Sequence, residues 1–168
     1  MSMNWKEIDG VLKEWNLEGA FLQDVRQSSY YHIFLEFRKP GESLILLVAL
    51  NQGFTRIHRV SRRPPCLRKP PRFTEFLRSQ VQGYRVSQVS QVGQERIVHL
   101  AFQGPDGSRH LWIRLWGGAS NILCTDQEGT ILDAAFRRPK KGERSGGHYW
   151  PLDDFPAEAA PQTKAKNF

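Results

Sequence analysis

Glu95 and Arg96 stand side by side in QVGQERIVHLAF (residues 91–102), an acid and a base just past a Gly-Gln turn between two strand-like runs. Alternation along the second run puts Arg96 on the face of Val98, Leu100 and Phe102. A guanidinium opening the more apolar face of a strand needs a rim position in water or a partner, within the protein or on something it binds. Other chemistry is sparse. There is no GxxxxGK[ST] phosphate loop, GxGxxG fingerprint, GxSxG elbow or HExxH pair. His32, His58, His99, His110 and His148 are scattered, without an acid or second histidine at ligand spacing. GGASN (residues 117–121) lies between strands, with no helix to aim its dipole at a phosphate. Cys66 and Cys124 are too few and too far apart for a disulfide framework or a zinc knuckle. No catalytic residue, metal ligand or cofactor is nominated.

Charge is the stronger signal. The 168 residues carry a net charge of +7. Residues 56–72 (RIHRVSRRPPCLRKPPR) hold seven bases, Arg56, Arg59, Arg62, Arg63, Arg68, Lys69 and Arg72, and no acid. Residues 137–144 (RRPKKGER) add Arg137, Arg138, Lys140, Lys141 and Arg144 against one glutamate. Together they hold half of all the bases, a concentration that suits a polyanion whose counterions are released on binding. Solvated basic loops are the plainer alternative. No amphipathic helix accompanies them, which argues against a membrane partner. MSMNWKEIDG has no apolar leader run, so a cytoplasmic protein is expected.

The elements that must position these residues follow from periodicity. Trp5, Ile8, Leu12 and Trp15 recur at helical spacing over residues 4–16, with Asn4 as N-cap. Strands are expected at 21–27, 30–38, 44–50 and 54–60; LILLVAL (44–50) is apolar enough for burial on both faces. The proline-rich stretch 61–72 reads as a long surface loop, and Phe73, Phe76, Leu77 and Val81 as a second helix stopped by Gly83. Strands at 84–92, 95–102, 109–116, 119–125 and 130–136 complete the pattern. This is an α+β chain with two antiparallel β-sheets and short flanking helices, one domain over residues 1–151. Residues 152–168 are expected to be a disordered tail or the start of a linker. Both halves run helix, glycine-aromatic, strand, the pattern of a distant internal repeat.

Order and spacing of several pieces resemble the NFACT-N domain. RFTEFLRSQVQGYRVSQVSQVGQERIVHLAF resembles its helix, glycine, strand and "DRI" segment. LWIRLWGGASNILCTDQEGTILDAAFRR resembles its Gly-x-x-Ser-Asn-Ile block, and GGHYWP its closing segment, one residue shorter. LLVALNQGFTRIHRV is similar to the first-half pattern. The resemblance implies a fold similar to the N-terminal domain of formamidopyrimidine-DNA glycosylases. It does not imply their chemistry, because this sequence begins Met-Ser-Met where those enzymes use a proline amine.

The same resemblance implies a role in ribosome-associated quality control, with tRNA and the large ribosomal subunit carrying a stalled peptidyl-tRNA as partners. It also implies support for untemplated C-terminal tailing of the nascent chain, and no enzyme activity of the domain itself. Family members also carry the label fibronectin-binding protein A-like, which makes a protein-interaction module the alternative. Glu95 and Arg96 match the family's Asp-Arg pair, with an acid one methylene longer. The expectation is that Arg96 contacts RNA and Glu95 orients it, against a plain ion pair at a strand end.

Overall fold

The computed structural model describes residues 2–153, so the expected tail falls, but for its first two residues, outside them. Helix α1 (Trp5–Trp15) begins at a capping box: Asn4 Oδ1 accepts the Glu7 N–H and the Glu7 carboxylate accepts the Asn4 N–H, each at 2.9 Å. Two donors that a helix start leaves open are thereby satisfied. Ile8 and Trp15 are buried on the apolar face that the spacing marks out. Four antiparallel strands follow, β1 (Phe21–Gln27), β2 (His32–Lys39), β3 (Glu42–Ala49) and β4 (Arg56–Val60). Helix α2 (Arg72–Gln80) leads into β5 (Arg85–Gln91), β6 (Ile97–Gly104), β7 (Gly107–Arg114), β8 (Asn121–Thr125) and β9 (Ile131–Ala134).

The α+β class holds, but the two expected sheets are one. All nine strands form a single antiparallel sheet in the order β4-β3-β2-β1-β5-β6-β7-β8-β9. The join is short: Phe21 pairs with Arg85, and Gly19, Ala20 and Leu22 exchange main-chain bonds with Gly83, Tyr84 and Val86. Alternation reports which face of a strand is buried, not which edges meet. Two packed sheets and one sheet folded on itself therefore read alike. Beyond the join the halves share one core, with Phe37 of β2 stacked on Phe102 of β6 at 6.4 Å.

The repeat is real in the fold. Each half runs helix and four strands, with a bulge at Leu22/Asp24 in β1 and at Val86/Gln88 in β5. β9 is the extra strand. Two hydroxyls make reciprocal bonds between the halves: Thr55 Oγ1 donates to the Leu115 carbonyl at 3.2 Å, and Ser120 Oγ to the Leu50 carbonyl at 2.6 Å. Thr55 and Ser120 stand at matched positions of the repeat, as do Leu50 and Leu115.

Loop 61–71 closes the other face of the first half. Arg63 meets Glu36 of β2 at 2.9 Å, and the Leu67 N–H bonds to the Gln27 carbonyl. Phe34 and Leu47, cross-strand partners on the Glu36 face, are buried there. That is how β3 comes to be apolar on both faces. No helix among the described residues is long and apolar enough to cross a membrane.

Gly104, at the end of β6, lies flat under the buried Tyr84 ring. A Cβ there would come within 2.4 Å of ring carbons. Gly104→Ala is expected to cost about 1–3 kcal/mol through overpacking at the join, read as a lower urea midpoint with an unchanged slope.

Candidate nucleic-acid interface

A buried polar network sets the site's geometry. Arg114, at the end of β7, donates from Nη2 to Glu143 at 2.7 Å and from Nε to the Ala119 carbonyl at 2.8 Å. Asn121 donates to the other Glu143 oxygen and to the Phe136 carbonyl, and its own Oδ1 accepts the Phe136 N–H, all at 2.9 Å. Burial disfavours the Glu143 carboxylate charge, but the bonds from Arg114 and Asn121 and the Arg114 and Arg138 charges win and hold its pKa below the usual range. The Ser-Asn of GGASN is thus structural: Ser120 ties the loop to the first half, and Asn121 clamps the chain leaving β9. Arg72, first residue of α2, binds Asp133 and the carbonyls of Ala134 and Ala135, fastening the helix start to β9.

Between these braced segments lies a cavity of about 530 Å³. One wall is the β1–β2 turn with Tyr30 and Tyr31; another is Gly117 and Gly118; the rest is the α2 start and the Phe136–Arg138 stretch. Tyr30, Tyr31 and Phe136 form a ring cluster with centroids 4.9–5.8 Å apart. Four guanidinium groups (Arg72, Arg114, Arg137 and Arg138) share the two carboxylates Asp133 and Glu143. The site keeps surplus positive charge beside exposed aromatic faces.

Of the residues singled out by charge, Arg72, Arg137 and Arg138 converge here, although the first is far from the others in sequence. Lys140 and Lys141 follow on an exposed 3-10 turn (Pro139–Lys141). Arg62, Arg63 and Arg68 line a separate depression on the loop over the first half, and Lys69 is exposed on the same loop. Arg56 and Arg59 sit on the edge strand β4, held by the Phe54 and Ser43 carbonyls. The basic set is therefore spread over more than one surface.

Glu95 and Arg96 are placed differently from the expectation. β6 starts at Ile97, and Arg96 occupies the preceding turn in the left-handed region (φ 57°). Alternation fails there because a strand's pleat ends where its pairing ends. No ion pair joins the two side chains among the described residues, so Glu95 does not hold Arg96. What fixes the turn is backbone: the Trp116 indole donates to the Glu95 carbonyl and the Leu115 N–H to that of Arg96. The Leu50 N–H bonds to the Tyr31 carbonyl in the same way. Arg96 and Tyr31 are repeat-related, and the loop from Trp116 to Gly118 runs from one turn to the cavity of the other.

Periodicity missed the aromatic cluster, because Tyr31 continues the inward set Ile33, Leu35, Phe37; with β2 starting at His32, it is 43% exposed. Matching the SSYY turn to the GQER turn of the second half was the signal available.

The histidines have structural partners instead. His99 Nε2 and His110 Nδ1 lie 2.8 Å apart, and His99 stacks on Trp112 at 4.0 Å. Burial, and for His99 also the neighbouring His110, lowers their pKa values to about 3 and about 4; Asp126 pulls His110 partly back. Cys124 is wholly buried and its thiol is pushed up to about 12 by burial, opposed by Arg109 and reinforced by Asp133 and Asp126. Among the described residues no group of three His, Cys, Asp or Glu could hold a metal ion.

A family model described as NFACT N-terminal and middle domains matches residues 9–145. The Rqc2 homolog RqcH of Bacillus subtilis (strain 168) is 26% identical over 141 residues, 79% of this chain and 25% of that protein. Two solved structures share the fold. The N-terminal domain of the fibronectin-binding protein PavA from Streptococcus pneumoniae gives a TM-score of 0.77 at 23% identity, covering 89% of this chain and 63% of that one. The N-terminal part of the fibronectin/fibrinogen-binding protein from Streptococcus suis gives 0.79 at 24%, covering 89% and 61%. The chain spans about a quarter of the length of the curated relatives it matches.

The histidine pair is expected to make stability fall in acid. A folded-state pKa below the unfolded 6.5 leaves stability complete above pH 6.5 and removes it as pH falls towards the folded values. Between pH 7 and pH 5 the loss is expected to be about 2 kcal/mol for His99. Urea unfolding at stepped pH reads it, and His99→Gln, which carries no titrating proton, should remove that share of the pH dependence and leave the share due to His110.

Proposed function

The chain belongs to the NFACT family through its N-terminal domain, and from that premise we propose that it is the RNA-binding module of a ribosome-associated quality-control factor. On this reading it contacts tRNA and the large ribosomal subunit bearing a stalled nascent chain, and supports C-terminal tailing as part of a longer assembly, in the cytoplasm. It contributes binding, not a reaction. Any likeness to glycosylase N-terminal domains would, on this reading, concern the fold alone.

The observation that carries the proposal is convergence: Arg72 meets Arg137 and Arg138 at one opening, next to exposed aromatic rings, with more guanidinium than carboxylate. Arginine forks and aromatic faces are what phosphates and unstacked bases bind. The Arg96 turn adds a cation whose side chain has no partner among the described residues, reached from the cavity along Trp116–Gly118. Its left-handed backbone supports the reading, since an arginine there is strained where glycine or asparagine would not be.

A second reading, a protein-interaction module, draws on the solved relatives described as fibronectin-binding. Competition separates the two, because free tRNA displaces a labelled RNA and fibronectin does not.

For tRNA binding followed by fluorescence anisotropy, Arg96→Ala and Arg96→Gly are each expected to weaken affinity about tenfold or more, the scale of a lost charged hydrogen bond. Arg96→Gly should do so with equal or higher stability, because glycine relieves the positive φ. The double change Lys140→Ala/Lys141→Ala should lower the slope of log K against log salt by about one unit per lost phosphate contact. Wild-type affinity in the Arg96 variants would remove that residue from the interface.

A further inference from the structure

We infer that the cavity between the Tyr30–Tyr31 turn and the Gly117–Gly118 loop receives one unpaired nucleotide of the RNA, its base on the tyrosine rings and its phosphate on the Arg137–Arg138 side. This names the ligand of the proposed interface and rests on the RNA reading.

The glycines are the first ground. Neither Gly117 nor Gly118 has a positive φ, so the backbone does not require glycine. A Cβ on Gly117 would meet nothing within 4 Å, and one on Gly118 only the Gln52 side chain at ordinary contact, 3.8 Å. Packing does not require glycine either. Both line the cavity, and what they preserve is its free width.

The second ground is the aromatic wall. Tyr30 is 62% exposed and Tyr31 43%, in a chain that buries Phe37 and Phe102 almost completely. Tyr30 tilts 35° to Phe136 and stands edge-on to Tyr31, so the three rings hold one another and leave faces uncovered. An open aromatic face accepts any base, because every base has a π-face.

Charge and size decide what enters. Asp133 is shared by Arg72 and Arg137, and Glu143 by Arg114 and Arg138, which leaves unneutralised guanidinium at the rim for a phosphate. About 530 Å³ falls in the range of small-ligand sites. In duplex RNA the base faces are stacked against their neighbours, so a ring reaches these tyrosines only from a single strand, loop or end.

The test uses the whole chain with a short single-stranded RNA, an abasic strand of equal length and phosphate count, and a duplex of the same sequence. Wild type is expected to bind the single strand about tenfold or more tightly than the abasic strand, the scale of one base on an aromatic platform. Tyr30→Ala and Gly117→Leu should abolish that preference and leave abasic binding unchanged, and Gly117→Leu, whose added carbon starts in open space, should also keep the unfolding midpoint. Tyr30→Phe should retain it. Equal wild-type affinity for single and abasic strands, or a Gly117→Leu variant that keeps the preference, overturns the nucleotide site while RNA binding through charge stands. Wild type that binds none of the three at low salt overturns the RNA reading and this site with it.

Discussion

Two hydroxyl-to-carbonyl bonds, Thr55 to Leu115 and Ser120 to Leu50, hold the loops of one half against those of the other. The sheet's own join is only a few residues long, at the starts of β1 and β5. Everything beyond it depends on the halves closing face to face over the shared core. Each bond is a buried polar group whose loss would leave a carbonyl unsatisfied, so the pair fixes register as well as distance. Hydrophobic burial drives the closure but is indifferent to small slides. The hydroxyls supply the direction that the Phe37–Phe102 stack lacks.

Closure is what makes a site. The β1–β2 turn of one half then faces the Trp116–Ser120 loop of the other, and the cavity is the gap between them. Its walls are braced from behind by the Arg114–Glu143–Asn121 network and by Arg72 on Asp133. A buried ion pair of this kind is a poor source of net stability, since desolvation offsets most of its Coulombic gain. Its value here lies in geometry: Glu143 holds Arg114 and Asn121 together, and through them the Gly loop and the Phe136 segment.

Much of this was legible in the residues, for reasons that also mark where legibility ends. Trp5, Ile8, Leu12 and Trp15 betray α1 because a helix buries one stripe, and LILLVAL betrays β3 because both of its faces are covered. Both helices and all nine strands follow from such patterns. The basic segments were visible as charge, and Arg72, Arg137 and Arg138 were among them. Their convergence was not, because it depends on a long-range pairing of α2 with β9. Arg96 and Tyr31 were assigned to strand faces for one shared reason: periodicity carries no mark of the residue at which pairing stops. Both stand at matched positions just before a strand, where the pleat has not begun.

That shared position has a consequence for how the two turns divide their work. Repeat-related turns with the same main-chain anchor would be expected to carry similar side chains if they only closed hairpins. Here one carries two exposed tyrosines and the other a glutamate and an arginine with no side-chain partner among the described residues, while the anchoring bonds from Leu50 and Leu115 are the same. The fold has kept the scaffold in both halves and varied what it displays: flat apolar rings on one side, a cation on the other, with a short loop running between them. Rings suit a base and a guanidinium suits a phosphate. A scaffold that holds both in fixed relation has already met much of the ordering cost of binding. On the proposed RNA reading, the rigid network behind the loop would therefore matter to recognition as much as the side chains displayed on it.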